Sequence, residues 1–147
     1  VTALAPSPLK DYMSRHFLLM SEGTAWGDTS VPGMKQMIDD VTKFKPDQAP
    51  DIYFGFGYAQ AWAVSQILEK AVQLGDLSRP GIIKAMNSID KLSFGGLLGD
   101  YTWGPPAKRN PPRASSVFKV DPAAPGGLAA VKVNFTSEPA KKFSFAS

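Results

Sequence analysis

The residues best suited to small-molecule recognition cluster in one short stretch of the chain. Four aromatic residues and two glycines fall within the seven residues 52–58, which read IYFGFGY. Aromatic side chains can line a ligand site and can hold an ammonium group by cation–π attraction. Glycines let the backbone come close to a bound molecule. The stretch indicates a small-solute site, with core filling as the competing interpretation of the same aromatic residues.

The two glycines of this stretch also imitate part of a dinucleotide-binding fingerprint. Gly55 and Gly57 stand between an apolar run and a helical pattern, and Asp76 follows about 20 residues later, as the ribose-binding acid of that fingerprint would. Gln60, however, occupies the position of the third glycine, and Asp76 follows a helix-capping glycine instead of a strand. The sequence therefore favours solute binding over nucleotide binding.

No constellation for catalysis or metal binding is predicted. The absence of cysteine excludes disulfides and thiolate chemistry. The single histidine, His16, has no second ligand at metal spacing. The neighbouring carboxylates Asp39 and Asp40 point to different sides of a helix, and Ser115-Ser116 lacks the glycines of a nucleophile elbow. We predict a protein that is not an enzyme and has no catalytic residue, metal or cofactor.

The charge distribution does not favour nucleic-acid binding. The net charge is +3, from 16 basic and 13 acidic residues that are interspersed along the chain. The densest basic cluster, Lys108-Arg109 with Arg113, falls in a proline-rich loop, whereas nucleic-acid binders concentrate charge on one face. No apolar run approaches the ~18 residues of a membrane span, and no signal peptide opens the chain. Because Val1 is not a natural start, we expect a mature, trimmed or cleaved product.

Hydrophobic periodicity places helices in the first part of the chain and strands in the last part. We predict helices over 9–20, 31–44, 57–74 and 78–89, and strands over 97–103, 115–120 and 128–135. The helix 57–74 is apolar over more than half its surface and should be buried between layers. The strands available to cover it are too few, so the chain is expected to belong to a larger architecture.

Six segments of the chain carry a resemblance to a known family. They are Glu22-Gly23 with Thr24-Ala25-Trp26, Val31 to Phe44 with the proline-containing loop after it, Gly57-Tyr58-Ala59 opening a long helix, Leu77-Ser78-Arg79-Pro80 with the helix after it, Gly96 to Trp103, and Ser116 to Val120. In this order and spacing, across roughly Leu9 to Lys132, they resemble the periplasmic substrate-binding proteins of ABC importers, of the branched-chain amino-acid (type I, Leu/Ile/Val-binding-like) family.

The resemblance implies a fold class and a division of the chain. Members of the family are α/β proteins with two lobes around a hinged cleft, and this chain matches the C-terminal portion of that type I periplasmic-binding-protein fold. Residues 1–22 and 121–147 would belong to the second lobe, residues 28–113 to the first lobe, and residues 23–27 and 114–120 to hinge crossovers. We expect a fragment, or one of the two chains of a nicked protein.

The resemblance also implies a function, which we state as an expectation. The protein would be the extracytoplasmic (periplasmic or cell-surface) solute-binding component of an importer. It would capture an amino acid or a small aromatic or carboxylate compound by lobe closure. Its partners would be that small-molecule ligand, the remaining N-terminal part of the same protein and an ABC permease in the membrane.

Position in the family makes Tyr53 the first candidate for ligand contact, followed by Phe56 and Trp26 beside the expected lobe junction. The polar anchors of the ligand would lie mostly outside this chain. Two alternatives to the importer component remain open, a sensory ligand-binding module of a receptor and a nucleotide-using α/β enzyme.

Overall fold

The computed structural model describes residues 7–48 and 52–144 as a mixed α/β structure. Its helices and strands follow each other in the order α1 Lys10–His16, β1 Leu18–Ser21, α2 Pro32–Phe44, α3 Ile52–Gln73, α4 Arg79–Ser88, β2 Lys91–Leu92, β3 Tyr101–Thr102, β4 Ser115–Val120, β5 Leu128–Phe135 and α5 Glu138–Lys142. Single turns of 3₁₀ helix occur at Pro106–Lys108 and Pro125–Gly127.

The longest strands form an antiparallel sheet in the order β1-β4-β5. The central strand β4 alternates, so that Ser116, Phe118 and Val120 are buried on one face. Met13 of α1 is also buried, and this short helix contacts β4. On β1, in contrast, Leu18 and Met20 are exposed. The sheet therefore has one packed face and one face that carries exposed apolar side chains.

The main core lies between α2, α3 and the segment 92–97. Its buried members are Met34 and Met37 from α2, Ala59 from α3, and Leu92, Phe94 and Leu97. Met34, Met37 and Val41 follow the i, i+3, i+7 spacing of one helix face, while Lys35 and Asp39 pair on the solvent side at 2.5 Å. Pro32 occupies the first turn of α2, where a missing N–H costs nothing. The predicted amphipathic helix is confirmed.

Two glycines allow the segment 94–97 to approach the rest of the core. The N–H of Gly33 donates to Gly95 O at 2.9 Å, and a Cβ at Gly33 would lie 2.1 Å from Phe94 O. Gly23 has φ +82°, and a Cβ there would lie 2.3 Å from Leu97 O. Any larger residue at either position would force the two backbones apart.

Local capping residues mark the end of α3 and the start of α4. Gly75 adopts φ +73° just after α3, which is the left-handed conformation of a helix C-cap. The Ser78 hydroxyl accepts a hydrogen bond from the N–H of Gly81 at 3.3 Å and so caps α4. The strands predicted over 115–120 and 128–135 are confirmed as β4 and β5.

Strand pairing changed two other predicted elements. The helix predicted over 9–20 ends at His16, because residues 18–21 pair with β4 instead. The strand predicted over 97–103 is reduced to Tyr101–Thr102, since only these residues pair with β2. Residues 138–142 form a further helix, α5, with Ser137 as the N-cap.

The long helix α3 differs from its prediction in two respects. It begins at Ile52 instead of Gly57, so the aromatic and glycine stretch is helical. It is also not buried all round, because Val64, Leu68 and Val72 are exposed along one side.

We predict that Ser116→Ala lowers the free energy of unfolding by about 1–3 kcal/mol, the penalty for leaving buried polar groups unpaired. Ser116 is fully buried; its hydroxyl donates to Gly23 O and accepts from the N–H of Asn134 at 2.9 Å. Urea denaturation followed by circular dichroism measures the change. Ser115→Ala is the matched control, because the Ser115 hydroxyl makes one long bond of 3.4 Å to Ser21 O. Equal effects at both positions would contradict the prediction.

Candidate functional site

An apolar groove lies between α3 and the segment that contains β2 and β3. Its volume is about 270 Å³. The residues that line the groove are Glu22, Phe56, Ala59, Gln60, Ala63, Leu92, Phe94, Leu98, Tyr101 and Trp103. Most of these side chains are aliphatic or aromatic, with a few polar groups among them, and this is the composition of a small-molecule site.

The helix α3 forms one wall of the groove through residues that share one face. Phe56, Ala59, Gln60 and Ala63 follow the i, i+3, i+4, i+7 spacing. The two alanines have small side chains and leave the space that the groove occupies. Phe56, one helical turn before Ala59 and Gln60, adds an aromatic ring at one end of this wall.

A chain of aromatic rings supports the opposite wall. Tyr58, Trp62, Phe94 and Tyr101 contact one another in sequence, with centroid separations of 6.0, 6.2 and 6.0 Å. Each pair is close to perpendicular, which is the edge-to-face arrangement that aromatic quadrupoles favour. Because Phe94 is buried in the core, these ring-to-ring contacts fix the position of Tyr101 relative to α3.

A hydrogen bond joins the side chains of Tyr101 and Glu22, which both line the groove. The Tyr101 hydroxyl donates to Glu22 Oε2 at 3.2 Å. Burial raises the pKa of Tyr101, and the negative charge of Glu22 and this hydrogen bond raise it further. The phenol therefore stays protonated at neutral pH, and the groove presents one carboxylate with one of its oxygens already accepting a bond.

Trp103 is held in the groove wall by its neighbours. The guanidinium of Arg109 lies 4.6 Å from the centre of the Trp103 ring. Arg109 is itself fixed by donating to Gly104 O at 2.8 Å and to Asn87 Oδ1 at 3.1 Å. The buried Trp103 Nε1–H has no hydrogen-bond partner within the described residues. Since such a group costs about 1–3 kcal/mol, packing and the cation–π contact, not hydrogen bonding, set the position of this ring.

The structure separates the three residues that were predicted to contact the ligand. Phe56 lines the groove. Tyr53 is 78% exposed and lies outside the groove lining. Trp26 is half-buried, and its ring lies against Gly55 and Gly126, also outside the lining.

Three lining residues, Glu22, Tyr101 and Trp103, are not among the predicted ligand contacts. Tyr101 and Trp103 stand two positions apart, which places them on the same face of an extended segment. This spacing in the sequence could have identified Tyr101 and Trp103 as residues that line the same site. Nothing local connects Glu22 to that face, since 79 positions separate it from Tyr101.

The dinucleotide-like glycines do not form a phosphate-binding loop. Gly55 and Gly57 both lie inside α3, whereas a phosphate cradle needs a turn between a strand and a helix N-terminus. A Cβ at Gly55 would be in ordinary contact with the ring of Trp26 at 3.7 Å and the sulfur of Met37 at 4.0 Å. Within the residues that the structure describes, no group of three or more potential ligands could hold a metal ion. None of the described helices has both the length and the apolarity of a membrane span.

Comparison with known proteins gives one informative likeness. No protein-family model matches the chain, and no curated protein matches it significantly. A solved structure with a similar fold is the fatty acid ABC transporter substrate-binding protein from Thermomonospora curvata, with a TM-score of 0.73 and 28% sequence identity. The aligned region covers 96% of this chain and 36% of that protein. This chain thus spans little more than a third of the length of the protein it resembles.

This likeness confirms the predicted fold class, an α/β portion of a substrate-binding-protein fold. The protein that this chain resembles is the substrate-binding component of an ABC transporter.

We predict that the stability of the protein falls as the pH rises from about 10 to about 12, partly through Tyr58. Burial, together with the hydrogen bond of 2.5 Å to Asp40 Oδ2 and the charge of Asp40, raises the pKa of Tyr58 from 10.0 to about 12. The folded state then holds the phenolic proton more tightly than the unfolded state, so its advantage is complete below pH 10 and is lost through that window.

Urea denaturation at several pH values measures this dependence. Tyr58→Phe removes the titrating group and Asp40→Asn removes its partner, so both variants should have a shallower loss of stability between pH 10 and 12. A slope that is identical in all three proteins would contradict the assignment.

Proposed function

We propose that this chain is part of the solute-binding component of an ABC-type importer. The observation that carries the proposal is the likeness to a substrate-binding protein over 96% of the chain. The apolar groove beside α3 supports it, since a binding component needs a concave site and no bond chemistry. An extracytoplasmic location and docking on a membrane permease belong to the same proposal.

The solute that we propose is a small molecule with an apolar body. The groove volume of about 270 Å³ is just under the ~300–1,000 Å³ of typical ligand pockets, which suits a small solute or one end of a longer one. The similar protein is named for fatty acids. The solute class that we propose is wider than fatty acids and comprises amino acids and small aromatic or carboxylate compounds. The protein family that we propose for this chain is the branched-chain amino-acid type of binding protein.

The proposed mechanism is hinged closure of two lobes on the solute. Residues 1–22 and 121–147 would belong to one lobe and residues 28–113 to the other, with crossovers at 23–27 and 114–120. In support, β1 and β5 share one sheet, whereas the core between α2 and α3 is separate from it. The ligand would stabilise the closed state because it contacts both lobes only in that state.

In this proposal the aromatic residues have different roles. Phe56 contacts the solute directly, because it already lines the groove. Tyr53 and Trp26 would contact the solute, or the opposite lobe, only when the lobes close. Tyr53 has the exposure that this role needs.

The remaining N-terminal part of the protein is proposed to cover an apolar stripe on α3. The stripe consists of Ala61, Val64, Leu68 and Val72, which lie on one side of the helix and are all exposed. Val64 is 54% exposed and Val72 is 62% exposed. A continuous apolar surface of this kind is typical of a contact face.

We predict that Ala63→Leu weakens solute binding about tenfold or more, because a larger side chain fills the groove and overpacking costs about 1–3 kcal/mol. Titrations with leucine, phenylalanine, benzoate and octanoate, followed by tryptophan fluorescence and calorimetry, provide the measurement, with Trp103 as a reporter in the groove wall.

Ala61→Leu is the matched control, because Ala61 is exposed on the same helix and does not line the groove. It should keep the affinity of the wild-type protein. If none of the four compounds binds saturably to the wild type, the proposed function is wrong for this groove.

We predict that the double variant Val64→Thr, Leu68→Gln binds less of the apolar dye ANS and keeps its stability within about 0.5 kcal/mol per site, as exposed positions do. Dye fluorescence and urea denaturation measure the two quantities. Glu69→Gln, an exposed change on the same helix, should leave dye binding unchanged. A large loss of stability with unchanged dye binding would mean that the stripe is packed in solution.

A further inference from the structure

A side-chain amide on α3 fastens the groove wall that lies opposite this helix. Gln66 is half-buried, and its Nε2–H donates a hydrogen bond to Ser93 O at 3.0 Å. Its Oε1 accepts a hydrogen bond from the Ser93 N–H at 3.3 Å. Both backbone groups of Ser93 are therefore bonded to one side chain, which takes the place that a neighbouring β-strand would have.

Ser93 stands between two residues that form the buried part of this wall. Leu92 and Phe94 both line the groove, and they are 2% and 3% exposed. The pairing of β2 with β3 ends at Leu92, which lies opposite Tyr101. The backbone of Ser93 is bonded to the side chain from α3 just beyond this end. The amide of Gln66 therefore sets the distance between the wall and the helix.

Both ends of this connection are held by further contacts. The Gln66 Nε2–H also donates to Trp62 O at 3.4 Å, one helical turn earlier, and the Trp62 ring meets Phe94 edge to face at 6.2 Å. On the other side, the Ser93 hydroxyl donates to Asp100 Oδ1 at 2.7 Å. Because both ends are held, removing the amide changes how the wall is attached to the helix.

A neutral amide is the side-chain group that matches Ser93. The Ser93 backbone presents one donor and one acceptor, and the amide of glutamine carries both complementary groups. A glutamate carboxylate accepts from the N–H but turns a second oxygen toward the carbonyl oxygen. A methionine has a similar length and forms neither bond. Backbone groups that lose their partners inside a protein are costly, so the segment would move away to meet water.

We infer that Gln66 is a positioning residue that sets the width of the groove, so that the groove selects slender solutes over broad ones of similar size. Gln66 follows Ala63 by three positions, which places it one turn further along the same side of the helix. It does not line the groove and acts through Leu92 and Phe94. The inference rests on the proposed function, because it requires that the groove holds a solute.

Two uncharged probes of different breadth test this inference. They are 1-hexanol and cyclohexanol, which have the same number of carbon atoms and one hydroxyl group each. Both are titrated into the 147-residue chain by calorimetry and tryptophan fluorescence. We expect 1-hexanol to bind about tenfold more tightly, since a misfit of one methylene group in an apolar pocket has at least about this effect. Ala63→Leu should weaken both probes, which places them in the groove.

The variant Gln66→Met removes the connection and keeps the length of the side chain. It should reduce the preference for 1-hexanol to about threefold or less, because the slender probe loses contact with the wall and the broad probe gains room. Gln73→Met makes the same change at an exposed position of α3 and should keep the wild-type ratio. Partial unfolding lowers both apparent affinities by the same factor and leaves the ratio unchanged. The ratio therefore separates a change of width from a loss of stability.

The variant Gln66→Glu tests the hydrogen-bond donor itself. At about pH 7 the carboxylate has no donor for Ser93 O, and the preference should fall as in Gln66→Met. The facing carbonyl oxygen raises the pKa of the introduced glutamate above its ordinary value of about 4.3, so the group is protonated at about pH 4. The protonated carboxyl group again carries a donor and an acceptor, and the preference should return.

Two controls isolate this pH effect. The wild-type protein, measured at both pH values, accounts for the titration of Glu22 in the groove and of Asp100 beside Ser93. Gln73→Glu introduces the same group on the exposed side of the helix and should match the wild type at both pH values. Circular dichroism checks that each variant is folded under both conditions.

The possible failures separate the inference from the proposed function. If the wild type binds both alcohols equally, if Gln66→Met keeps the wild-type ratio, or if the ratio of Gln66→Glu does not respond to pH, the inference is overturned. In these cases the groove remains a solute site as long as Ala63→Leu weakens both alcohols. If neither alcohol binds, the inference is also wrong, and the proposed function is then decided by the titrations with leucine, phenylalanine, benzoate and octanoate.

Discussion

The structure depends on the close approach of the segment 94–97 to two glycines. Gly33 and Gly23 both come so near to carbonyl groups of this segment that neither has room for a Cβ. The hydrogen bonds from the N–H of Gly33 to Gly95 O and from Thr24 to Leu97 O hold the approach. Through these contacts, the segment 94–97 joins the start of α2 to residues 23–24, which follow β1. The core residues Phe94 and Leu97 are placed as a result.

The groove is a consequence of that placement. Once Phe94 is fixed, its edge-to-face contacts determine the positions of Trp62 on α3 and Tyr101 on β3. The small side chains of Ala59 and Ala63 then leave a gap between helix and strand. Glu22 borders this gap, because residues 23–24 are held beside Leu97. The proposed binding function therefore depends on backbone packing that lies outside the groove itself.

The sequence supplied only part of the site. Phe56, which the sequence predicts as a ligand contact, lines the groove, and its aromatic stretch is local and can be recognised in the sequence. Tyr53 belongs to the same stretch, but the helical turn carries it to the exposed side of α3. Glu22, Tyr101 and Trp103 meet only in the folded chain. The two-residue spacing of Tyr101 and Trp103 is a local signal, but Glu22 lies 79 positions from Tyr101, and no periodic pattern connects residues so far apart.

The sequence by itself determined the elements whose signals are local. The amphipathic period of α2, the caps at Gly75 and Ser78, and the strands β4 and β5 all follow from side-chain spacing and backbone preference over a few residues. Tertiary structure decided the rest. Residues 18–21 became a strand because β4 offered unpaired backbone groups. The helix α3 extended back to Ile52, and Gly55 lies in that first part of the helix against the Trp26 ring. Which faces are buried, and which residues converge on the groove, depends on partners that lie far away along the chain.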